Sequence, residues 1–371
     1  MTPDTSIESL NLNWRERDLP QSLRTKHVHA LHPYLGKFVP QLVEIFLRKY
    51  RPEHVLDPFA GCGTTLVEAT AFGVPSVGTD ISAFNCLLTS VKTHRYDLAA
   101  LEQEVVGALD EAFSSDQFRF MEGRAEYKRK SYLTEWFAPE ALAALTQYRL
   151  AIRGKKYEDV LKVILSRAAR SARLTTHFDL DFPKRPQIEP YYCYKHSRTC
   201  SPTRDARRFL ERYSIDALRR IRQYAEVRRD VESRIECADA RSFQYPEADL
   251  VITSPPYVGL IDYHEQHRYA YELLGIEDQS DAEIGAAKRG VSQGAQAAYV
   301  DDMVAVFRNV ASSLSPSARV VVIVHDRRNL YHGIAQRAGF RIEHELRRLV
   351  DRRTGRRATQ FHESVFVWRA V

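Results

Sequence analysis

No stretch of about eighteen consecutive apolar residues occurs in the chain, so no membrane-spanning helix is expected. The opening segment, "MTPDTSIESLNLNWRERDLP", has no basic region leading into an apolar one, and no secretion signal is expected. Cysteine is scarce and odd in number: five, at positions 62, 86, 193, 200 and 237, scattered through 371 residues. That argues against a disulfide framework and for free thiols in a reducing, cytoplasmic compartment. Neither an internal repeat nor a low-complexity tract is present, which excludes solenoid and linker designs.

What is present is the makeup of a folded protein. Apolar residues are 44% of the chain and charged residues 27%, with 17 Phe and 19 Tyr, enough for a sizeable core. The net charge of +6 is unevenly placed. Residues 195–234 hold twelve Lys/Arg against six Asp/Glu, and "RRLVDRRTGRR" (347–357) adds six arginines against one aspartate. Clustered arginine suits a polyanion, and a solvated helix face is the plainer alternative.

Hydrophobic periodicity divides the chain. "VPQLVEIFLRKY" (39–50) has helical spacing, "EHVLDPF" (53–59) reads as a buried strand, and "TTLVEATAF" (64–72) as the helix after it, closed by Gly73. "PSVGTDIS" (75–82) is a second strand. From about 97 to 234 the pattern is mainly helical, broken by a Pro/Tyr/His-rich loop at 177–202. The amphipathic helix at 202–227 is expected to start with Ser201 as cap and Pro202 in its first turn. Strands return at 234–240, 248–254, 318–326, 340–350 and 363–371, the last two as an antiparallel hairpin at the sheet edge. The expected architecture is α/β, with a mostly parallel sheet formed by 1–95 and 234–371 and a mainly helical, basic insert at 96–233.

Two motifs carry chemistry. "VLDPFAGCGTTLVEA" (55–69) places Gly61 and Gly63 in a turn between strand and helix, at the strand's carboxyl end where open parallel sheets bind ligands. Asp80 ends the next strand, where a carboxylate can take ribose hydroxyls. Leu66 stands where a dinucleotide fingerprint needs a third glycine, so a nucleoside without a pyrophosphate fits better. The second motif is "DLVITSPPYVGLIDY" (249–263), a strand that runs into Ser254-Pro255-Pro256-Tyr257.

"DPFAGCGTT" and "SPPY" resemble the S-adenosylmethionine motif and the catalytic motif of the methyltransferases that modify exocyclic amino groups of DNA bases. The resemblance covers 32–44, 53–82 and 234–263, and it implies a Rossmann-like methyltransferase fold. It implies that Asp57, Phe59, Ala60, Gly61 and Gly63 surround the methionine part of the cofactor. Thr64 and Thr65 would meet its carboxylate through backbone N–H groups, Asp80 with Ile81 would hold the ribose, and Asp239 with Ala240 the adenine. The segment with His32, Tyr34, Lys37 and Phe38 would close the pocket.

Amino methylation needs acceptors on the two amino hydrogens, so that the nitrogen lone pair leaves conjugation with the ring. The Ser254 hydroxyl and the Pro255 carbonyl are suitable, the two prolines fix φ, and Tyr257 can stack on a base flipped out of double-stranded DNA. Serine in the first position of the motif, within the resemblance, implies cytosine N4. Adenine N6 in DNA, guanine N2 in transfer RNA and an inactive DNA-binding scaffold are the alternatives. Methylation at ring carbon 5 would need a Pro-Cys nucleophile pair, which the chain lacks. A restriction–modification or defence setting, with a cognate nuclease and the nucleoid as location, is the expectation.

DNA contacts are expected from Arg204, Arg207, Arg208, Arg219 and Arg222 in the insert. His264 and Arg268, in the aromatic, basic "DYHEQHRYAYELLG" (262–275), would border the target pocket together with Tyr263 and His267. Cys193, His196 and Cys200 have metal-like spacing, but zinc takes four ligands and no second cysteine pair follows, so no metal site is expected. His27 and His29 alternate as if on one strand face, and no metal is expected there either.

Overall fold

The computed structural model describes residues 2–114, 131–180, 183–259, 262–350 and 360–371. Seven strands form one sheet in the order β5-β2-β1-β6-β7-β9-β8. They are β1 (Val55–Asp57), β2 (Ser76–Asp80), β5 (Ser233–Cys237), β6 (Ala248–Thr253), β7 (Leu314–Val324), β8 (Phe340–Val350) and β9 (Phe361–Ala370). A separate hairpin pairs β3 (Tyr191–Cys193) with β4 (Arg198–Cys200). Helices among the described residues are α1 (Gln21–Arg24), α2 (Pro40–Tyr50), α3 (Thr64–Phe72), α4 (Ala83–Thr93), α5 (Leu98–Phe113), α6 (Ser131–Trp136) and α7 (Pro139–Ala151). There follow α8 (Glu158–Ala172), α9 (Arg207–Ala225), α10 (Tyr263–Gln266), α11 (Arg268–Leu274), α12 (Gln293–Ala311) and α13 (Tyr331–Arg337).

The five strands up to β7 are parallel, and β9 and β8 return antiparallel as the expected edge hairpin, with β9 on the inner side. The fold is Rossmann-like α/β with a mostly parallel sheet. Its central strands are apolar on both faces because helices cover both. Leu250 and Ile252 of β6 pack with Leu42, Val43 and Phe46 of α2. Val251, between them, faces the opposite side with Met303, Phe307 and Val310 of α12. The helices of 96–233 pack on α4, and their buried residues are continuous with Val67, Phe84, Leu88 and Val91.

Three local expectations are corrected. Helix α9 begins at Arg207 with Ala206 at its N-cap position, five residues beyond Pro202, and neither Ser201 nor Pro202 caps it. Strand pairing of Cys200 with Tyr191 holds the chain in the hairpin, so 201–206 must bridge to the helix, and the Asp205 carboxylate accepts from the Arg208 N–H at 3.3 Å. The loop at 177–202 contains β3–β4, whose three-residue strands are too short to show a period. His27 and His29 lie in a 3₁₀ turn, His27–Ala30, rather than on a strand. Of the second basic run, 351–357 lies outside the described residues. No helix among the described residues is long and apolar enough to cross a membrane.

Candidate active site

The carboxyl ends of β1, β2, β5 and β6 deliver their following residues to one cavity. Its lining includes Phe59, Ala60, Gly61 and Thr64 after β1, Asp80 and Ile81 after β2, Asp239 and Ala240 after β5, and Ser254 and Pro256 after β6. Lys37 and Phe38, from the segment before α2, close it. Three of the expected cofactor residues stand back from the cavity. Asp57 lies buried beneath the turn, Gly63 caps α3, and the buried Thr65 donates its hydroxyl to the Ile252 carbonyl at 3.0 Å.

The turn has this shape for local reasons. Gly61 and Gly63 have φ of +52° and +79°, the left-handed region that side chains resist. A Cβ on Gly63 would lie 2.7 Å from the Thr89 methyl, so this position also has no room. Asp80 pins the turn from below: its carboxylate accepts from the Gly61 N–H (2.8 Å), the Ser82 N–H (2.8 Å) and the Asn85 amide (3.1 Å). Burial nevertheless pushes its carboxyl up to about 6. Asp57 is raised by burial to about 6 as well, although the Thr253 hydroxyl and the Phe59 N–H donate to it at 2.7 and 3.1 Å.

Two buried acceptors here have no protein partner among the described residues: Asp57 Oδ2 and Asn85 Oδ1. Unpaired buried acceptors are costly; of these two Asn85 lines the cavity, where a ligand's ammonium or hydroxyl groups can satisfy it, while Asp57 lies beneath. Together with backbone exposed at the glycine turn and apolar walls from Phe59, Ile81 and Ile284, Asn85 fits an amino-acid nucleoside. Asp239 is less available. Burial works against its charge, but Arg241 grips it through Nε (3.0 Å) and Nη2 (2.6 Å) and holds it below the usual carboxylate range.

Beyond a wall made of Tyr34, Gly36, Lys37 and Phe38 lies a second cavity, lined by Tyr257, Phe361, Arg348 and Glu363. The SPPY run lies across the division: Ser254 and Pro256 line the first cavity, and Tyr257 the second. Tyr299 donates its hydroxyl to the Pro256 carbonyl at 2.8 Å and lies 2.6 Å from the Tyr331 hydroxyl, which holds the loop from behind. Arg348 and Glu363, paired across β8 and β9, form a buried ion pair at 3.0 Å.

The segment after SPPY serves the first cavity and not the second, against expectation. Tyr263 lines it, stacked on Tyr34 with ring centroids 5.9 Å apart. His264 is buried, its Nδ1 bonded to the Glu283 carboxylate at 2.5 Å, so it is no DNA contact. Burial lowers that imidazole, and Glu283 together with the Asp278 and Asp80 charges raises it, with a net rise. His267 is buried among Phe84, Tyr34 and His32 and is pushed down to about 3 by burial. Arg268 lies over the Tyr132 ring at 4.8 Å and is paired with Glu265 and Glu272.

Among the insert arginines, Arg204 pairs with Glu140, Arg207 with Glu211, Arg219 with Asp216 and Arg222 with Glu102. Arg208 instead lines a cleft with Arg173, Lys195, Arg198 and Arg212, in which no acidic residue takes part among the described residues. Sequence reasoning missed this cleft, and it missed Asn85 and Glu283 in the first cavity. Ser82 caps α4 by accepting from the Asn85 N–H at 3.2 Å, a cap signal that could have marked Asn85. Glu283 lies in a loop without periodicity and had no such signal.

Fold and site together define an S-adenosylmethionine-dependent methyltransferase. The chain is 35% identical to the type II methyltransferase M.MjaII of Methanocaldococcus jannaschii over 430 aligned positions, covering 94% of this chain and 81% of that protein. It therefore belongs to the type II DNA methyltransferase family. It is also 22% identical to the type II methyltransferase M.MvaI of Kocuria varians over 279 positions, 69% of this chain and 59% of that one. Among solved structures, TrmN from Thermus thermophilus matches 91% of this chain and 50% of its own at 14% identity and a TM-score of 0.35. The rRNA methyltransferase aviRa from Streptomyces viridochromogenes matches 100% and 96% at 14% identity and 0.36. No protein-family model matches the chain.

Proposed function

We propose that this protein methylates the exocyclic N4 amino group of cytosine in double-stranded DNA, as the modification partner of a restriction nuclease or in a related defence system. The observation that carries the reading is the SPPY run standing between two cavities. A nucleoside cofactor on the Gly61 side and a flipped base on the Tyr257 side would meet at Ser254 and Pro255.

When bound, S-adenosylmethionine supplies a methyl group activated on a sulfonium; the chain's own residues supply alignment. Asn85, whose Oδ1 at the cavity wall has no partner among the described residues, is an acceptor for the cofactor's ammonium or hydroxyl groups, and Asp80, which also lines the cavity, shapes the turn on which it rests. Ser254 Oγ makes no hydrogen bond to another described residue and is available to accept from the substrate amino group. The Pro255 carbonyl is the second acceptor, aimed by two fixed φ angles. With both amino hydrogens held, the lone pair turns out of the ring plane toward the methyl donor. Such alignment contributes on the order of 7–11 kcal/mol in favourable cases. Tyr257, Phe38 and Phe361 offer faces for the base, and Arg348 with Glu363 offers polar atoms for its edge. No general base is required, because the amino proton leaves after transfer.

Serine at 254 supports cytosine over adenine through the resemblance that SPPY carries. The test is to incubate the protein with labelled S-adenosylmethionine and mixed DNA and RNA, digest to nucleosides and identify the labelled one. N4-methylcytosine in DNA is expected; N6-methyladenine would overturn the base, a methylated RNA nucleoside the substrate, and no label the activity. Ser254→Ala should lower kcat by about 10²–10³ while cofactor affinity stays within a few-fold.

A further inference from the structure

The hairpin β3–β4 collects four metal-ligating side chains. Its register pairs Tyr191 with Cys200 and Cys193 with Arg198, so the two cysteines are diagonal neighbours on one face. The turn, with Ser197 at φ +51°, brings His196 back so that its N–H donates to the Cys193 carbonyl at 3.1 Å. His196 Nδ1 then lies 3.6 Å from Cys193 Sγ and 3.5 Å from Cys200 Sγ. The fourth group comes from upstream rather than downstream. His177 donates its backbone N–H to the Tyr191 hydroxyl at 2.9 Å and brings its Nδ1 to 3.6 Å from Cys193 Sγ. All four ligand atoms lie within 4.8 Å of one another.

Hydrogen bonding does not account for this arrangement. An imidazole Nδ1 carries at most one proton, yet that of His196 stands nearly equidistant from two sulfurs. A thiol likewise has one hydrogen, yet Cys193 Sγ stands equidistant from two imidazole nitrogens. The cysteines are free, so a disulfide does not explain their approach. A tetrahedral ion bound at about 2.3 Å to sulfur and about 2.0–2.1 Å to nitrogen separates S and N by about 3.5 Å. That is the spacing found at all three contacts. Cys193 is fully buried and Cys200 nearly so, where thiolates require a compensating charge. The other cluster of this kind among the described residues, His27, His29 and Glu68, differs, because Lys26 already pairs with the Glu68 carboxylate at 2.9 Å.

We propose that His177, Cys193, His196 and Cys200 form a closed, tetrahedral S₂N₂ site for one zinc ion, structural in role. Four protein ligands leave no open position for substrate, and the donor set is that of structural zinc. Binding displaces the two thiol protons to solvent. The ion ties the hairpin to the turn that follows α8 and so holds Lys195 and Arg198 toward Arg173, Arg208 and Arg212 across the basic cleft. The cleft's use for DNA rests on the proposed function; the metal site does not.

The test uses the full chain, expressed with zinc and purified without chelator. Metal analysis by mass spectrometry should return close to one zinc per chain for the parent and for Cys237→Ser, and less than a tenth of that for Cys193→Ser and Cys200→Ser. Should those variants fail to fold, the parent itself is stripped with chelator under reducing conditions and titrated with Co²⁺. The expected result is the intense visible spectrum of tetrahedral cobalt with thiolate charge transfer, saturating at one equivalent and abolished by Zn²⁺. Zinc content unchanged in both cysteine variants, or a parent that neither retains zinc nor gives the tetrahedral cobalt spectrum, overturns the site. Because neither readout depends on methyl transfer, an inactive but zinc-bearing protein would count against the proposed function alone.

Discussion

Asp57 and Asp80 are buried carboxylates raised to about 6. For an acid, a raised value means that the folded protein holds its proton more tightly than the unfolded chain does. These two groups therefore stabilise the cofactor-free protein as pH falls from about 7 toward the ordinary carboxylate range, and that contribution is lost as pH rises through 6. Cofactor binding runs the opposite way, because an ammonium group needs the ionised carboxylate. Affinity measured by calorimetry should be flat above about pH 7 and fall by about tenfold for each unit below 6, with proton release on binding at pH 6. Asp80→Asn should remove the acidic fall and weaken binding at pH 8 by at least tenfold, roughly the value of a charged hydrogen bond. If the pH profile of this variant matches the parent, Asp80 is not the group that titrates.

At the scale of elements, the site depends on contacts that hold loops rather than touch ligands. Gly63 ends the turn in a left-handed conformation against Thr89, so Gly63→Ala should cost at least about 1–2 kcal/mol, seen as a lower denaturant midpoint, and should weaken cofactor binding. Tyr299 anchors SPPY through the Pro256 carbonyl and is a positioning residue. Tyr299→Phe removes the hydroxyl's two hydrogen bonds, to the Pro256 carbonyl and the Tyr331 hydroxyl, each worth about 1 kcal/mol, and should lower kcat about fivefold, with the KM for cofactor unchanged. A change confined to KM would show that the loop is held by other means. The pairing of β8 with β9 adds the buried Arg348–Glu363 bridge at the second cavity. Removing the arginine alone leaves an uncompensated buried carboxylate, so Arg348→Met should destabilise by about 3–5 kcal/mol.

Over the whole molecule, charge that is dense in the sequence proves to be divided in space. Four of the five insert arginines expected to meet DNA are paired with carboxylates, Arg207 and Arg219 within their own helix and Arg204 and Arg222 with other helices, while Arg208 joins a cleft free of acidic groups among the described residues. Arg208→Glu and Arg212→Glu should each weaken DNA binding and reduce the slope of log K against log salt by about one, whereas Arg219→Glu should change neither. The strands of the sheet and the two motifs were legible in the chain because they are set locally. Apolar runs bounded by Gly and Pro make buried strands, and a left-handed Gly-x-Gly turn or a Pro-Pro corner has few other conformations. The sequence alone therefore determined the α/β sheet, its antiparallel edge, and a glycine turn and SPPY run at strand ends. Tertiary structure decided the rest. It paired His264 with Glu283, closed Arg241 on Asp239, separated the two cavities by the 34–38 segment, and brought His177 to Cys193 across a proline-rich loop. Each of these depends on residues distant in sequence or on an aperiodic loop, and no local pattern encodes which charge or ligand will meet which.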